Sequence, residues 1–227
     1  TSINPEEWAG ARHPLTGLPA EDGIIPRPAL AVKIGNNDVN SLPHEGLLKA
    51  DIVYEALIEA GKTRFLGVYQ SLLPERVAPV RSARSTDISL IGNLSNPHFA
   101  YWGSNQGVGA EVEEAERSGT FVRQSAELDS TGAFSRDPTR GDSPYDGVLD
   151  PTYLLGDIPG SAPAAIFDYG ILPNSAVSTL GIRWETGGRV IEYLWDRQSS
   201  SWQRFQDGSP LLDVDGVQLN SENVLLL

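Results

Sequence analysis

The sequence predicts an α+β, mixed α/β fold in two parts. Residues 1–150 read as an N-terminal mixed-sheet domain with flanking helices, and residues 163–227 as a smaller, mostly antiparallel β domain whose C-terminus is cut short. Three observations carry this. Strand-like and helix-like apolar patterns alternate as far as Gly119. From Ala164 onward the pattern is β throughout, punctuated by the turn pairs Gly187-Gly188 and Asp207-Gly208. Between them, residues 118–163 lose periodicity and are rich in Asp, Ser, Gly and Pro.

The Pro- and Gly-punctuated stretch 1–28 is expected to form a surface arm. The apolar run Ala29–Ile34, ended by Gly35-Asn36-Asn37-Asp38, predicts a buried strand and a turn, and Pro43–Ala50 a helical turn. Asp51–Glu59 alternates, placing Asp51, Val53, Glu55, Leu57 and Glu59 on one strand face. Ala60-Gly61-Lys62 turns the chain into a second strand at Thr63–Ser71, giving a hairpin, and Arg76–Val80 predicts a third short strand. Ser85, with Asp87 in the first turn, is expected to cap a helix carrying Ile88, Leu90, Ile91 and Leu94, stopped by Pro97. A strand at His98–Gly103, a loop at Ser104–Gly109 and an acidic helix at Ala110–Arg117, closed by Gly119, follow. A short helix is expected at Pro151–Leu155. Strands are expected at Ile166–Tyr169, Leu180–Glu185, Arg189–Asp196 and Trp202–Gln206. The terminal run Val224–Leu227 reads as a strand, either cut or centrally buried.

Net charge is −13, so the whole-molecule field repels polyanions and nucleic acid is excluded as a general partner. There are no cysteines, which removes disulfides, thiolate metal sites and cysteine nucleophiles. His13, His44 and His98 are scattered without the spacing of a zinc hydrolase. No stretch approaches the roughly 18 consecutive apolar residues of a membrane helix. The basic residues gather between Lys33 and Arg84, where the strands are.

Chemistry concentrates in Pro79-Val80-Arg81-Ser82-Ala83-Arg84-Ser85. Two guanidinium forks between a strand end and a helix start suit a phosphate or carboxylate. Lys33 and Arg64 extend the set, and Ser82 lies between the two arginines. Ser104 and Asn105, in a glycine-containing loop between strand and helix, are candidate hydrogen-bond donors to the same ligand. Asp51 and Glu55 are the candidate metal ligands, because carboxylates facing a phosphate would hold Mg²⁺. The alternative for the arginines is ordinary pairing with Asp51, Glu55 or Asp87. His98 reads better as a core or strand-edge histidine than as a general base, and Ser82 lacks the frame of a hydrolase nucleophile.

Several of these segments together resemble a known family. Pro14-Leu15-Thr16-Gly17-Leu18-Pro19, Ala31-Val32-Lys33-Ile34, Ala50–Glu55, Thr63-Arg64-Phe65 and Pro79–Arg84 are similar to the YerB-like family of bacterial proteins classed as lipoproteins, whose two halves are domains of unknown function. The resemblance spans nearly the whole chain and is most specific up to residue 103. It implies an extracytoplasmic protein anchored to the cell membrane through a lipid. With no cysteine in the sequence, the anchor would lie upstream of Thr1. Where the family commonly has a Pro-His-Asn type element, this sequence has Ser143-Pro144-Tyr145-Asp146, so no role of that histidine carries over. A weaker similarity in element order links residues 51–103 to the LytR-CpsA-Psr phosphotransferases, which hold a polyprenyl pyrophosphate with arginines and Mg²⁺.

Two functions follow as expectations. One is a non-catalytic cell-envelope module that binds an anionic small molecule, a phosphorylated envelope lipid or an envelope protein. The other is a Mg²⁺-dependent phosphotransferase or polyprenyl-pyrophosphate binder, in which Arg64, Arg81 and Arg84 neutralise phosphate charge, Lys33 assists, and Asp51 or Glu55 holds the metal.

Overall fold

The computed structural model describes residues 9–36, 38–156, 158, 160–170, 181–186 and 189–226. The expected residues 1–8 of the arm, the Gly187-Gly188 turn and Leu227 lie outside these. The first sheet begins with β1 (Leu30–Asn36), every residue of which is buried. After a 3₁₀ turn at Leu47–Lys49 come β2 (Ile52–Leu57) and β3 (Thr63–Tyr69), the expected hairpin. Helix α1 (Ser85–Ile91), β4 (His98–Tyr101), helix α2 (Gln106–Arg117) and β5 (Val122–Ser125) complete the layer. The sheet order is β2-β3-β1-β4-β5. β1 is antiparallel to β3 and parallel to β4, and β4 is parallel to β5, so the sheet is mixed as expected.

The period-2 pattern of β1 and β3 sorts the core into two faces. Ala29, Ala31, Leu66 and Val68 face α1 and α2, where Ile91, Val108, Val112, Phe99 and Phe121 close the packing. Leu30, Val32, Ile34 and Phe65 face the other way, into a cluster with Leu149, Leu154, Leu155, Leu211 and Leu219. That second face is covered by a ribbon of β6 (Phe134–Arg136) and β7 (Gly147–Leu149), by α3 (Pro151–Leu155), and by the C-terminal strands. The C-terminal sheet is antiparallel: β8 (Gly181–Thr186), β9 (Arg189–Asp196), β10 (Ser201–Gln206), β11 (Ser209–Pro210) and β12 (Asn220–Ser221).

Several expectations need correction. Arg76–Val80 is not a strand; it crosses the sheet end through single bridges, Val77 to Leu149 and Val80 to Ile34. Arg84, not Ser85, is the cap residue of α1. The loop expected at Ser104–Gly109 is largely helix: Asn105 caps α2, its Oδ1 accepting from Val108 N at 2.9 Å, and the helix then starts at Gln106. The region 118–163 contains β5, β6 and β7, which its composition concealed. Ile166–Tyr169 is irregular. Residues 223–226 form no strand, and Leu225 and Leu226 are exposed rather than centrally buried.

Candidate functional site

Lys33, Arg64 and Arg81 are strung along the face of the first sheet that carries the helices. β1 presents Lys33 and then Gly35 to that face, and Gly35 pairs with Arg64 of β3. The segment after the Ile34–Val80 bridge runs beside β1, with Arg81 N donating to Lys33 O at 2.8 Å and Trp102 N donating to Arg81 O at 3.0 Å. A Cβ on Gly35 would stand 2.8 Å from Arg81 Cγ, so the glycine is what lets the arginine side chain cross β1.

The four cations fall into two kinds. Lys33 is fully buried and clasped: its Nζ donates to Asp87 Oδ1 at 2.5 Å. Burial drives its pKa down, and Asp87 opposes that shift. Asp87 also accepts from Arg84 N at 2.8 Å, fixing the start of α1. Arg84 donates from Nε and Nη2 to Glu59 Oε2 at 3.0 and 2.8 Å.

Arg64 and Arg81 differ. Both are buried, at 4% and 8% exposure, and neither has a carboxylate within ion-pair distance among the described residues. Arg64 Nη1 donates to Ser82 O at 2.6 Å, while its Nε has no partner. Arg81 rests on the ring of Tyr145, 4.8 Å from its centroid, and its Nη1 has no partner. Burial lowers the Arg64 pKa to about 10, with the charges of Arg84 and Arg81 pushing the same way. A buried guanidinium without an anion is costly, and two sharing one region cost more.

The remaining expected site residues fall elsewhere. Asp51 and Glu55 lie on the opposite face of the sheet, since Glu55 pairs in register with Phe65. Asp51 is consumed in a turn, where its Oδ2 accepts from Gln70 N at 2.5 Å and Ser71 N at 2.9 Å and its Oδ1 accepts from the Ser71 hydroxyl. Glu55 binds Arg204 in a fork, with Nη2 to Oε1 at 2.7 Å and Nε to Oε2 at 3.2 Å, and also accepts from Thr63 Oγ1. The expectation that these two carboxylates hold a metal beside the arginines is therefore corrected. Among the described residues no three His, Asp or Glu side chains converge as metal ligands. Asn105 is engaged as the α2 cap, and Ser104 Oγ lies 3.0 Å from where a Gly109 Cβ would stand, so both turn toward α2. Ser82 contributes its carbonyl. His98 Nδ1 pairs with Gln124 Nε2 at 2.9 Å between the parallel strands β4 and β5.

Sequence reasoning missed Tyr145 and the pairing of Glu59 with Arg84. Tyr145 stands in the element that replaces the Pro-His-Asn type of motif, and that departure was a usable signal. An open groove between α1 and α2, lined by Ser85, Ile88, Glu111 and Glu114, is lined by none of Arg64, Arg81 and Arg84.

Residues 15–162 match the family described as "Protein of unknown function (DUF3048) N-terminal domain". The chain is 29% identical to "Putative lipoprotein YerB" of Bacillus subtilis (strain 168), over 98% of this chain and 69% of that protein. The crystal structure of the YerB protein from Bacillus subtilis superposes with a TM-score of 0.72 at 26% identity, covering 93% of this chain and 72% of that one.

Proposed function

This chain belongs to the family of the DUF3048 N-terminal domain, and from that premise we propose that it is a non-catalytic cell-envelope binding module whose ligand is an anion held by Arg64, Arg81 and Arg84. The observation that supports this reading is the buried pair Arg64 and Arg81, each with an unpartnered guanidinium nitrogen and no carboxylate mate among the described residues. A fold that only needed to bury these positions would gain from apolar residues of similar volume. An anion with several oxygens satisfies both guanidinium groups in a region shielded from solvent, where charge-assisted hydrogen bonds are strongest. The lipoprotein description of the Bacillus relative supports an extracytoplasmic, membrane-anchored location. Among the described residues no helix is long and apolar enough to cross a membrane.

The phosphotransferase reading loses its metal ligands, because Asp51 and Glu55 are engaged on the other face of the sheet. The groove between α1 and α2 gives a lipid-linked phosphate no support, because none of the three arginines lines it and Glu111 and Glu114 on its wall oppose a charged ligand there.

Calorimetric titration with pyrophosphate, with and without Mg²⁺, tests the reading. Wild type is expected to bind, and Arg81→Ala to lose at least tenfold in affinity. The same substitution is expected to leave the urea unfolding midpoint unchanged or raised, since it removes an uncompensated buried charge next to Arg64. Equal binding by both proteins, or none by either, rules out the arginine site. A large loss of stability in Arg81→Ala would give that residue a structural role.

A further inference from the structure

We propose that Glu59 is a built-in competitor for this site, and that the ligand which displaces it from Arg84 is a phosphoryl dianion rather than a carboxylate. The proposal rests on the anion-binding reading and names its ligand class.

Glu59 is the one exposed member of the cluster. Its side chain is 63% exposed, yet a single oxygen takes both donors of the Arg84 fork. The hydrogen bonds from Arg84, then one from its own backbone N–H, and after these the charges of Arg84 and Arg64, hold its carboxyl below the usual range. It sits in the turn Glu59–Gly61 between β2 and β3, where Ala60 adopts φ 58, a left-handed conformation unfavourable for a residue with a Cβ. Exposed ion pairs contribute little to stability, so the contact opens at small cost. The Arg84 guanidinium lies close to that of Arg64, since both donate to the carbonyl of Ser82, at 2.6 Å from Arg64 and 3.5 Å from Arg84. Releasing Glu59 therefore frees a fork on a guanidinium that shares its Ser82 acceptor with Arg64, a buried residue whose Nε has no partner.

Charge selects the ligand. Lys33 and Asp87 neutralise each other. Arg64, Arg81 and Arg84 remain, offset by the one charge of Glu59. A carboxylate ligand exchanges one single charge for another and leaves the buried arginines as they were. A phosphoryl group brings two charges and a third oxygen, enough to occupy the Arg84 fork and reach Arg64 together. The phosphoryl group can belong to free phosphate or to a lipid headgroup.

The test is isothermal titration of the full chain with inorganic phosphate and, separately, acetate, for wild type, Glu59→Gln and Arg81→Ala. Glu59→Gln, a change at an exposed position, is expected to bind phosphate about tenfold more tightly than wild type, and acetate is expected to bind at least tenfold more weakly than phosphate. Phosphate affinity unchanged or weakened in Glu59→Gln, with Arg81→Ala still deficient, overturns the competitor role and leaves the anion site standing. Acetate binding as tightly as phosphate overturns the ligand class. Absence of phosphate binding in both wild type and Glu59→Gln overturns the competitor and the site together. Co-sedimentation with phosphatidic-acid vesicles that free phosphate reverses supports a headgroup as the source. Phosphate binding with no co-sedimentation supports free phosphate.

Discussion

At the scale of single residues, Gly35 joins two otherwise separate features. Its missing side chain makes room for Arg81, and its carbonyl accepts from His44 Nε2 at 2.8 Å, which places the ring proton on Nε2. His44 is fully buried against Phe65, and burial lowers its pKa to about 3, with Arg204 and Arg140 opposing its charge. The unfolded chain takes up this proton below about pH 6.5, while the folded chain refuses it until about pH 3. His44 therefore withdraws stability as pH falls across that window, by at most about 1.4 kcal/mol for each pH unit. Urea midpoints measured between pH 7 and pH 4 should fall less steeply in His44→Gln than in wild type, since glutamine keeps an amide donor for Gly35 and cannot charge. Parallel slopes would mean that His44 titrates normally. At this scale the sequence was legible in part. It marked Lys33, Arg64, Arg81 and Arg84, and the structure gathers them. It misplaced Asp51 and Glu55, because equal spacing shows that residues share a face and not which face. The hairpin register, Glu55 opposite Phe65 and Ala56 opposite Arg64, held that information.

At the scale of elements, strong local signals were read well and weak ones lost. The β2–β3 hairpin, α3 and β9 stand where their alternation, Pro151 and turn residues put them. β5 was missed because Val-Arg-Gln-Ser carries one apolar residue, and its strand state comes from parallel pairing with β4, a contact that no local pattern announces. Arg76–Val80 erred the other way: its apolar residues are buried by crossing the sheet end rather than by extending a ladder. In α2 the buried positions Val108, Val112 and Ala115 recur at helical spacing, but the first turn looked like loop because it holds Gly107 and Gly109. Such a glycine-rich first turn depends on its cap. Asn105→Ala should cost about 1 kcal/mol in unfolding free energy, and Asn105→Asp should cost much less, as read by thermal unfolding. If alanine matches wild type, Asn105 has some purpose other than capping.

At the scale of the molecule, the two sheets share a core and a buried polar junction. Leu211 and Leu219 pack in the same cluster as Leu30, Val32 and Ile34. Arg204, whose side chain is 2% exposed, lies over the Phe65 ring and forks onto Glu55. Around that pair Asn36 donates to Gln206 Oε1 and Thr63 Oγ1. Removing Arg204 leaves the Glu55 carboxyl group buried without its partner, so Arg204→Ala is expected to lose about 3–5 kcal/mol of stability, whereas replacing Arg204 and Glu55 together with apolar residues should recover most of it. A double variant that loses the sum of what Arg204→Ala and the matching Glu55 substitution lose separately would show that the charges do not interact. The junction also orders events in time. Glu55 is synthesised 149 residues before its guanidinium mate. A chain emerging from the ribosome must carry that carboxylate wet until β10 has appeared. The first sheet then stays accessible to chaperones and proteases, and β10 acts as the latch that ends its vulnerability.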